Sequence, residues 1–277
     1  VLLRAPDPPP VEGDQMYAAE RQEHVLGLIR ADRRVSVAAL AADLDVTTET
    51  VRRDLDTLEQ LGHVRRVHGG AVAADLGSLV EATLDARSGE RIEAKRAIAA
   101  AVIGMLGDRS TILIDAGSTT GALAAALAEA GARRLRLSVI TNALPIASVL
   151  QSVDGIDTTV IGGRLRGVTS AIVGATATAQ LLGMRPDVAI IGANGLSAAF
   201  GLSTPDEDEA ATKAAMVRCA RHRIAVIDSS KLGVESLHSF AALDDLDVLV
   251  TDAPPDAGLA EALQAAGVEV VVARSSP

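Results

Sequence analysis

A run of small polar residues at 115–120, Asp-Ala-Gly-Ser-Thr-Thr, has the composition of a phosphate-binding turn. It follows an apolar stretch typical of a buried strand and precedes a segment typical of a helix. Gly117 allows a close approach of the backbone, and the free N–H groups at a helix start favour an anion. The run therefore predicts a phosphate cradle without a Walker motif. Because a carboxylate repels phosphate, we expect Asp115 to bind sugar hydroxyls or the loop backbone instead.

Polar residues or glycines also follow four other apolar runs in the C-terminal part of the chain. In parallel sheets, ligands bind outside the carboxyl ends of the strands, so these residues are candidates for one effector site. Each of them alone is more simply interpreted as a turn or cap residue, but five such strand ends together favour a site. The predicted effector-binding residues are Asp115, Gly117, Ser118, Thr119, Thr120, Asn142, Gly162, Gly163, Arg164, Asn194, Lys213 and Lys231.

The elements that must position these residues alternate regularly along the chain from Ile92 onwards. Helical patterns separate seven short apolar runs, at 111–115, 137–141, 158–162, 187–193, 224–228, 247–252 and 268–273. This alternation predicts an α/β domain, Rossmann-like, with a mainly parallel sheet covered by helices on both faces.

The N-terminal part carries a helix-turn-helix pattern followed by a basic hairpin. Helical patterns begin at Glu20, after a Ser36 cap and after a Thr47 cap, and Gly62 ends the third one. A basic hairpin beside a helix-turn-helix is a wing, so we predict an N-terminal winged helix-turn-helix domain that binds double-stranded DNA. The predicted DNA-binding residues are Ser36, Thr47, Thr48, Thr50, Arg52, Arg53, Arg65, Arg66, His68, Gly69 and Gly70.

The charge of the chain does not by itself favour a nucleic acid partner. The formal net charge is −10, and residues 20–72 carry eight arginines against nine acidic residues. Arg52 and Arg53 alone could equally form ordinary surface pairs with a residue such as Glu49. The prediction of DNA binding depends on the order of cap, turn, polar helix and basic wing.

Composition and segment boundaries limit the remaining possibilities. No apolar run approaches the roughly 18 residues needed to cross a bilayer, so we expect no membrane partner. The single cysteine, Cys219, excludes an internal disulfide and a cysteine-based zinc cluster. We expect a cytoplasmic protein without metal or cofactor. Its predicted parts are a disordered tail that is not a secretory signal (1–16), the winged helix (17–73), a linker (74–90) and the α/β domain (91–277).

Two sets of motifs resemble the DeoR family of bacterial transcriptional repressors. TVRRDLDTLEQLG (50–62) and VRRVHGGAV (64–72) resemble its DNA-binding domain, while DAGSTT, VITNALPIA, IGGRL, GANGLS, GLSTPDEDEAATKAAM and DSSKLG resemble its sensor domain. The resemblance implies an operator DNA partner, a phosphorylated sugar effector, a homo-oligomer (a dimer or tetramer) and the scaffold of ribose-phosphate isomerase. The family usually has Gly-Thr-Thr where this chain has Gly-Ser-Thr at 117–119, and serine keeps the hydroxyl.

Three functions follow from these patterns: a repressor of sugar-metabolism genes released by a phosphorylated sugar, an isomerase-like enzyme fused to a DNA-binding module, and a regulator whose large domain only oligomerises. Isomerases of this fold carry Asp-Gly-Ala-Asp and a glutamate just before a lysine, where this chain has Ile-Gly-Ala-Asn (191–194) and Thr-Lys (212–213). Isomerisation needs a carboxylate base, so we predict a regulator and not an enzyme. The acidic residues at 207–209 leave a displaced base open.

Overall fold

The computed structural model describes residues 18–32, 34–60, 64–67, 69–73, 82–130 and 136–274. The chain divides into two compact units, Val1–Leu76 and Gly77–Pro277. The tail expected at 1–16 lies outside the described residues. Within the described ranges, no helix combines the length and the apolar character that a membrane span requires.

The first unit contains three helices and a small antiparallel sheet with the strand order β1-β3-β2. Its elements, in chain order, are α1 (Ala18–Asp32), β1 (Arg34–Ser36), α2 (Val37–Asp43), α3 (Thr48–Gln60), β2 (Val64–Val67) and β3 (Gly70–Ala73). This order of a helix pair followed by a β-hairpin is the predicted winged helix-turn-helix.

The core of the first unit forms where α3 packs on α1. Val51, Leu55 and Leu58 repeat at helical spacing and are fully buried, together with Val25 and Ile29 of α1. This is the apolar stripe that a helix of a globular domain turns toward its core.

A buried ion pair joins the same two helices. Asp54 of α3 is buried beside this stripe, and Arg21 Nε donates to its carboxylate at 2.5 Å. Gln22 Nε2 also donates to this carboxylate, at 3.1 Å. Buried charges require such partners, so Asp54 has a structural role that the helical pattern did not reveal.

The second unit contains seven helices and twelve strands among its described residues. The helices are α4 (Leu84–Gly89), α5 (Ile92–Met105), α6 (Ser118–Ala130), α7 (Leu144–Leu150), α8 (Ala175–Leu182), α9 (Glu207–Cys219) and α10 (Ala257–Ala265). The strands are β4 (Thr111–Ile114), β5 (Leu137–Thr141), β6 (Ile156–Val160), β7 (Arg164–Arg166), β8 (Ala171–Val173), β9 (Val188–Ile191), β10 (Gly195–Ser197), β11 (Gly201–Thr204), β12 (His222–Val226), β13 (His238–Ala241), β14 (Val248–Thr251) and β15 (Glu269–Val272).

A seven-stranded parallel sheet with the order β15-β14-β12-β9-β4-β5-β6 organises this unit. Each of its strands comes from one of the seven apolar runs. Alternate residues of β4 enter different cores: Leu113 lies in one hydrophobic cluster, and Ile112 and Ile114 lie in the other. The sheet is therefore buried on both faces, which confirms the predicted α/β fold.

Two small antiparallel pieces of structure stand beside the main sheet. β7 pairs with β8, and β10, β11 and β13 form a three-stranded sheet. Close backbone approach fixes Gly195 in β10, since a Cβ there would overlap the carbonyl of Val234. These strands have three or four residues each, which is too short for a clear alternating pattern.

The segment expected as a linker, 74–90, includes the helix α4. Thr83 caps this helix, because its Oγ1 accepts a hydrogen bond from Ala86 N at 3.3 Å. Leu84 N donates to the carbonyl of Val168 at 3.0 Å and ties the helix start to the β7–β8 turn. The end of the expected linker is thus part of the second unit.

Candidate functional site

A cavity of about 20 Å³ lies at the carboxyl ends of β4, β9 and β12, which are neighbours in the main sheet, and Gly117 and Ser118 also line a larger cavity of about 600 Å³. The strand order brings together loops that are far apart in the chain. The residues that line the smaller cavity are Arg87, Ala116, Gly117, Ser118, Thr119, Thr120, Thr169, Gly192, Ala193, Asn194, Glu209 and Lys231.

The first turn of α6 forms the floor of this cavity, and we call residues 117–120 the cradle. Thr120 Oγ1 donates to the carbonyl of Gly117 at 3.0 Å, which stabilises the turn. The side chains of Ser118, Thr119 and Thr120 are all buried. A helix start presents N–H groups without intrahelical acceptors and the positive end of the helix dipole, so the cradle suits an anion.

Asn142, at the end of β5, braces the loop before the cradle. Its Oδ1 accepts a hydrogen bond from Ala116 N at 3.0 Å, and its Nδ2 donates to the carbonyl of Ile172 at 3.0 Å. The buried amide is thus engaged on both sides by backbone groups. These two hydrogen bonds hold Ala116, and with it the start of the cradle, in place.

A buried ion pair between Asp115 and Lys213 lies next to the cradle. The two side chains are 1% and 5% exposed, and Lys213 Nζ donates to Asp115 Oδ2 and, at 3.0 Å, to the carbonyl of Gly192. Gly192 N donates to Asp115 at 3.2 Å. Burial raises the pKa of Asp115, although the positive charge of Lys213 opposes this shift. The pair joins α9 to the ends of β4 and β9.

Lys231 supplies a cation to the cavity from the 3-10 turn Ser229–Lys231, which follows β12. Its Nζ lies 3.3 Å from Asp228 Oδ2. Burial lowers the pKa of Lys231; the charge of Asp228 opposes this shift, and the charge of Arg87 adds to it. An anion in the cavity would stabilise the charged form of this lysine.

Glu209 of α9 places a carboxylate in the cavity wall. The carboxylate accepts hydrogen bonds from Thr169 Oγ1 and from Arg166 Nη1 at 3.2 Å, and it lies 3.4 Å from Thr204 Oγ1. Donors from β7 and the β7–β8 turn therefore fix this group. Its negative charge is balanced by Arg166.

Six of the twelve predicted effector residues line the cavity: Gly117, Ser118, Thr119, Thr120, Asn194 and Lys231. Asp115, Asn142 and Lys213 support it from behind through the contacts above. Gly162 and Gly163 lie between β6 and β7, and Arg164, the first residue of β7, is 59% exposed and pairs with Asp208. The structure does not bring these last three residues to the cavity wall.

Arg87, Thr169 and Glu209 also line the wall, and the ends of the predicted strands do not indicate them. Thr169 belongs to a short hairpin and Glu209 to a helix, so neither follows a strand of the main sheet. Arg87 lies in the segment expected as a linker. The acidic run at 207–209, which could hold a displaced base, is the sequence signal for Glu209.

The predicted DNA-binding residues of α3 lie at and after its start. Thr47 Oγ1 accepts from Thr50 N at 3.1 Å and caps the helix. The side chains of Arg52 and Arg53 are 54% and 80% exposed, and each lies 3.7 Å from the Glu49 carboxylate. Exposed pairs of this length contribute little, so both guanidinium groups can exchange Glu49 for a phosphate. Thr48 is also exposed.

The wing packs against the rest of the first unit through backbone contacts. A Cβ on Gly70 would overlap the carbonyl of Val35, and Gly69 has a φ of +80°. Arg66 Nη1 donates to the carbonyl of Arg52 at 3.3 Å, which ties the wing to α3.

The remaining DNA-binding candidates are Ser36, Arg65 and His68. Ser36 caps α2, since its Oγ accepts from Ala39 N at 3.0 Å. His68 and the side chain of Arg65 lie outside the described residues.

Both parts of the chain match known protein families. Residues 21–76 match the DeoR-like helix-turn-helix domain, and residues 90–253 match the DeoR C terminal sensor domain. The chain belongs to the DeoR family. The expected resemblance is thereby confirmed along both parts of the chain.

Whole-length relatives of this DeoR-family chain are named as transcriptional regulators. The HTH-type transcriptional regulator GlpR of Haloferax volcanii is 36% identical over 92% of this chain and 98% of its own length. The HTH-type transcriptional repressor GlcR of Bacillus subtilis is 29% identical over 93% of this chain and 97% of its own length. The glycerol-3-phosphate regulon repressor of Escherichia coli is 29% identical over 90% of this chain and 96% of its own length.

Among solved structures, ribose 5 phosphate isomerase A from Neisseria gonorrhoeae aligns with 50% of this chain and 52% of its own, at 16% identity and a TM-score of 0.36. The fold assignment rests on the strand order described above. With its helix-turn-helix domain and its sensor domain, this DeoR-family chain is a DNA-binding transcriptional regulator.

Proposed function

We propose that this DeoR-family chain is a repressor of sugar-metabolism genes that releases its operator when a phosphorylated sugar binds to the cradle. The observation that carries the proposal is the meeting of a helix start, three hydroxyl side chains and two cations, Arg87 and Lys231, around one cavity. Helix N-termini and buried cations are the groups that bind phosphate in proteins. The name of the E. coli relative, a glycerol-3-phosphate regulon repressor, is consistent with such an effector.

The sugar part of the ligand has polar partners beyond the cradle. Asn194 lines the cavity, and its Oδ1 accepts a hydrogen bond from Thr204 Oγ1 at 3.2 Å, which orients the amide. Glu209 and Thr169 line the same cavity and suit hydroxyl groups. These residues would distinguish a sugar phosphate from inorganic phosphate.

Binding without turnover is favoured by the way in which the carboxylates are held. Sugar isomerisation needs a carboxylate that takes a proton from carbon. Among the described residues of the cavity wall, Glu209 supplies the carboxylate, and Thr169 and Arg166 donate hydrogen bonds to it. Asp115 is paired with Lys213 and does not line the cavity.

Repression requires that the operator and the effector compete through the conformation of the protein. We propose that a homo-oligomer presents two or more α3 helices to repeated half-sites of double-stranded DNA. The effector then lowers DNA affinity by favouring an arrangement that does not fit the operator. A coupling of about 1–3 kcal/mol per site is typical of such linkage.

Calorimetric titration with inorganic phosphate, glycerol 3-phosphate, ribose 5-phosphate and fructose 1-phosphate tests the effector class. We expect at least one phosphorylated compound to bind more tightly than inorganic phosphate, and the variants Ser118→Ala and Lys231→Met to weaken that binding while operator affinity persists. Failure of all four compounds to bind would favour a domain that only oligomerises. Conversion of a bound sugar phosphate to its isomer would instead establish an enzyme.

A further inference from the structure

One cation of the cavity wall, Arg87, comes from α4 and not from the end of a strand. The Nε and Nη2 atoms of its guanidinium group are buried. Burial and the charge of Lys231 lower the pKa of Lys95 on α5, and the charge of Arg87 lowers it further. Burial also lowers the pKa of Lys231, and the charge of Arg87 adds to that shift. Geometry agrees: Arg87 and Lys231 line the same cavity, and Lys95 Nζ donates to the carbonyl oxygen of Arg87, so three cations from three elements lie close together.

The backbone of α4 is attached to this group of charges. Lys95 Nζ is buried and donates to the carbonyl oxygen of Arg87 and, at 2.6 Å, to that of Glu90. Arg91, which follows the helix with a φ of 50°, is paired with Asp252 at 2.5 Å. The position of α4 thus depends on Lys95 and on the Arg91–Asp252 pair.

α4 lies close in sequence to the DNA-binding unit. α4 is the first described helix of the second unit, and ten residues, 74–83, separate it in sequence from β3, the last strand of the wing. Arg87 is therefore the cavity residue nearest in sequence to the DNA-binding unit. Among the described elements of the second unit, α4 is the one nearest in sequence to the DNA-binding unit.

We propose that Arg87 contacts the bound anion and transmits effector occupancy through α4 to the segment that leads to the DNA-binding unit. The inference rests on the proposed function, since it needs an anionic effector in the cradle. An anion there attracts Arg87 and offsets the repulsion among the three cations. It thereby favours the position of α4 closest to α6, and an effector shifts a conformation only through such a difference in interaction.

The test uses the full chain with the substitution Arg87→Gln, the conservative variant Arg87→Lys and the control Arg221→Gln. Arg221 follows α9, is 66% exposed and pairs with Asp187, so its removal changes the net charge equally without altering a residue that lines a cavity beside the cradle. Calorimetry gives the dissociation constant of glycerol 3-phosphate, ribose 5-phosphate or fructose 1-phosphate, whichever binds the wild type. Operator affinity is then measured with and without this probe at saturation.

A charge-assisted hydrogen bond contributes about 1.5–3 kcal/mol, so Arg87→Gln should weaken probe binding about 10- to 150-fold. At saturating probe it should also reduce the ratio of the two operator affinities, while Arg221→Gln leaves both quantities unchanged. Arg87→Lys should retain part of the affinity, because it keeps the charge and loses the planar fork.

Wild-type affinity and a wild-type ratio in Arg87→Gln would overturn this inference alone. Weaker probe binding with an unchanged ratio at saturation would also overturn it, because occupancy would then reach the DNA-binding unit by another route. Failure of the wild type to bind any probe would refute the proposed function as well.

Discussion

The substitution Lys213→Met removes the cation of the buried pair and leaves the Asp115 carboxylate in an apolar surrounding. Breaking a buried pair by removing one partner costs about 3–5 kcal/mol. For a unit of this size, a urea dependence near 3 kcal/mol per molar converts that loss to a midpoint lower by about 1 M or more. Urea unfolding of the full chain, followed by far-ultraviolet circular dichroism, measures the shift.

The double variant Asp115→Asn with Lys213→Met should recover much of this loss, because no buried charge is left. The matched control is Arg218→Met, an exposed position on the same helix, which should change the stability by less than about 0.5 kcal/mol. If the two single substitutions of Asp115 and Lys213 add up to the effect of the double variant, the pair does not act as a unit and the reasoning is refuted.

The same variant has a predicted pH dependence. Burial raises the pKa of Asp115 in the folded chain, and Lys213→Met removes the charge that opposes this shift. A carboxyl group whose folded pKa lies above its unfolded value stabilises the fold at low pH, and this stabilisation is lost as the pH rises through the folded pKa. The deficit of Lys213→Met relative to the wild type should therefore grow from acidic to neutral pH. A deficit that shrinks over this range would contradict the assignment.

Three further predictions concern the contacts described above. Arg52→Ala should weaken operator binding and, where Arg52 neutralises one phosphate, reduce the slope of log affinity against log salt by about one unit; an unchanged slope in fluorescence anisotropy would exclude a phosphate contact. Asn142→Ala should cost about 1–3 kcal/mol in urea unfolding, because the buried Ala116 N–H loses its acceptor, and wild-type stability would show that Asn142 does not brace the cradle. Gly70→Ala should destabilise the first unit by about 1–3 kcal/mol, since its Cβ overlaps the carbonyl of Val35, whereas Gly27→Ala, with open space around its Cβ, should not; equal thermal unfolding of the two variants would disprove the steric argument.

The main sheet could be predicted because its strands are buried on both faces. Such strands are continuous apolar runs, and β9 (Val188–Ile191) and β14 (Val248–Thr251) stand out for that reason. The strands of the small sheets have three or four residues and depend on tertiary contacts, such as the close approach of Gly195 to Val234. No periodic pattern marks them.

The cradle could be predicted because its chemistry is local: a strand end, a glycine and hydroxyl residues follow one another at 115–120. The pairing of Asp115 with Lys213 could not, because 98 positions separate these residues and only the packing of α9 brings them together. The sequence did not predict Arg87 as a cavity residue either. The six-residue helix that carries it lies in a polar segment with the composition of a linker.

The central claim is that a phosphorylated sugar controls DNA binding by this chain, and a gel shift on the DNA upstream of its own gene tests it most directly. The protein alone should retard this DNA, and a phosphorylated sugar that binds in calorimetry should release it, with an affinity ratio of about 5 to 150. Ser118→Ala should retard the DNA equally and require more of the sugar for release. Retardation that the bound sugar leaves unchanged in the wild type would contradict the account.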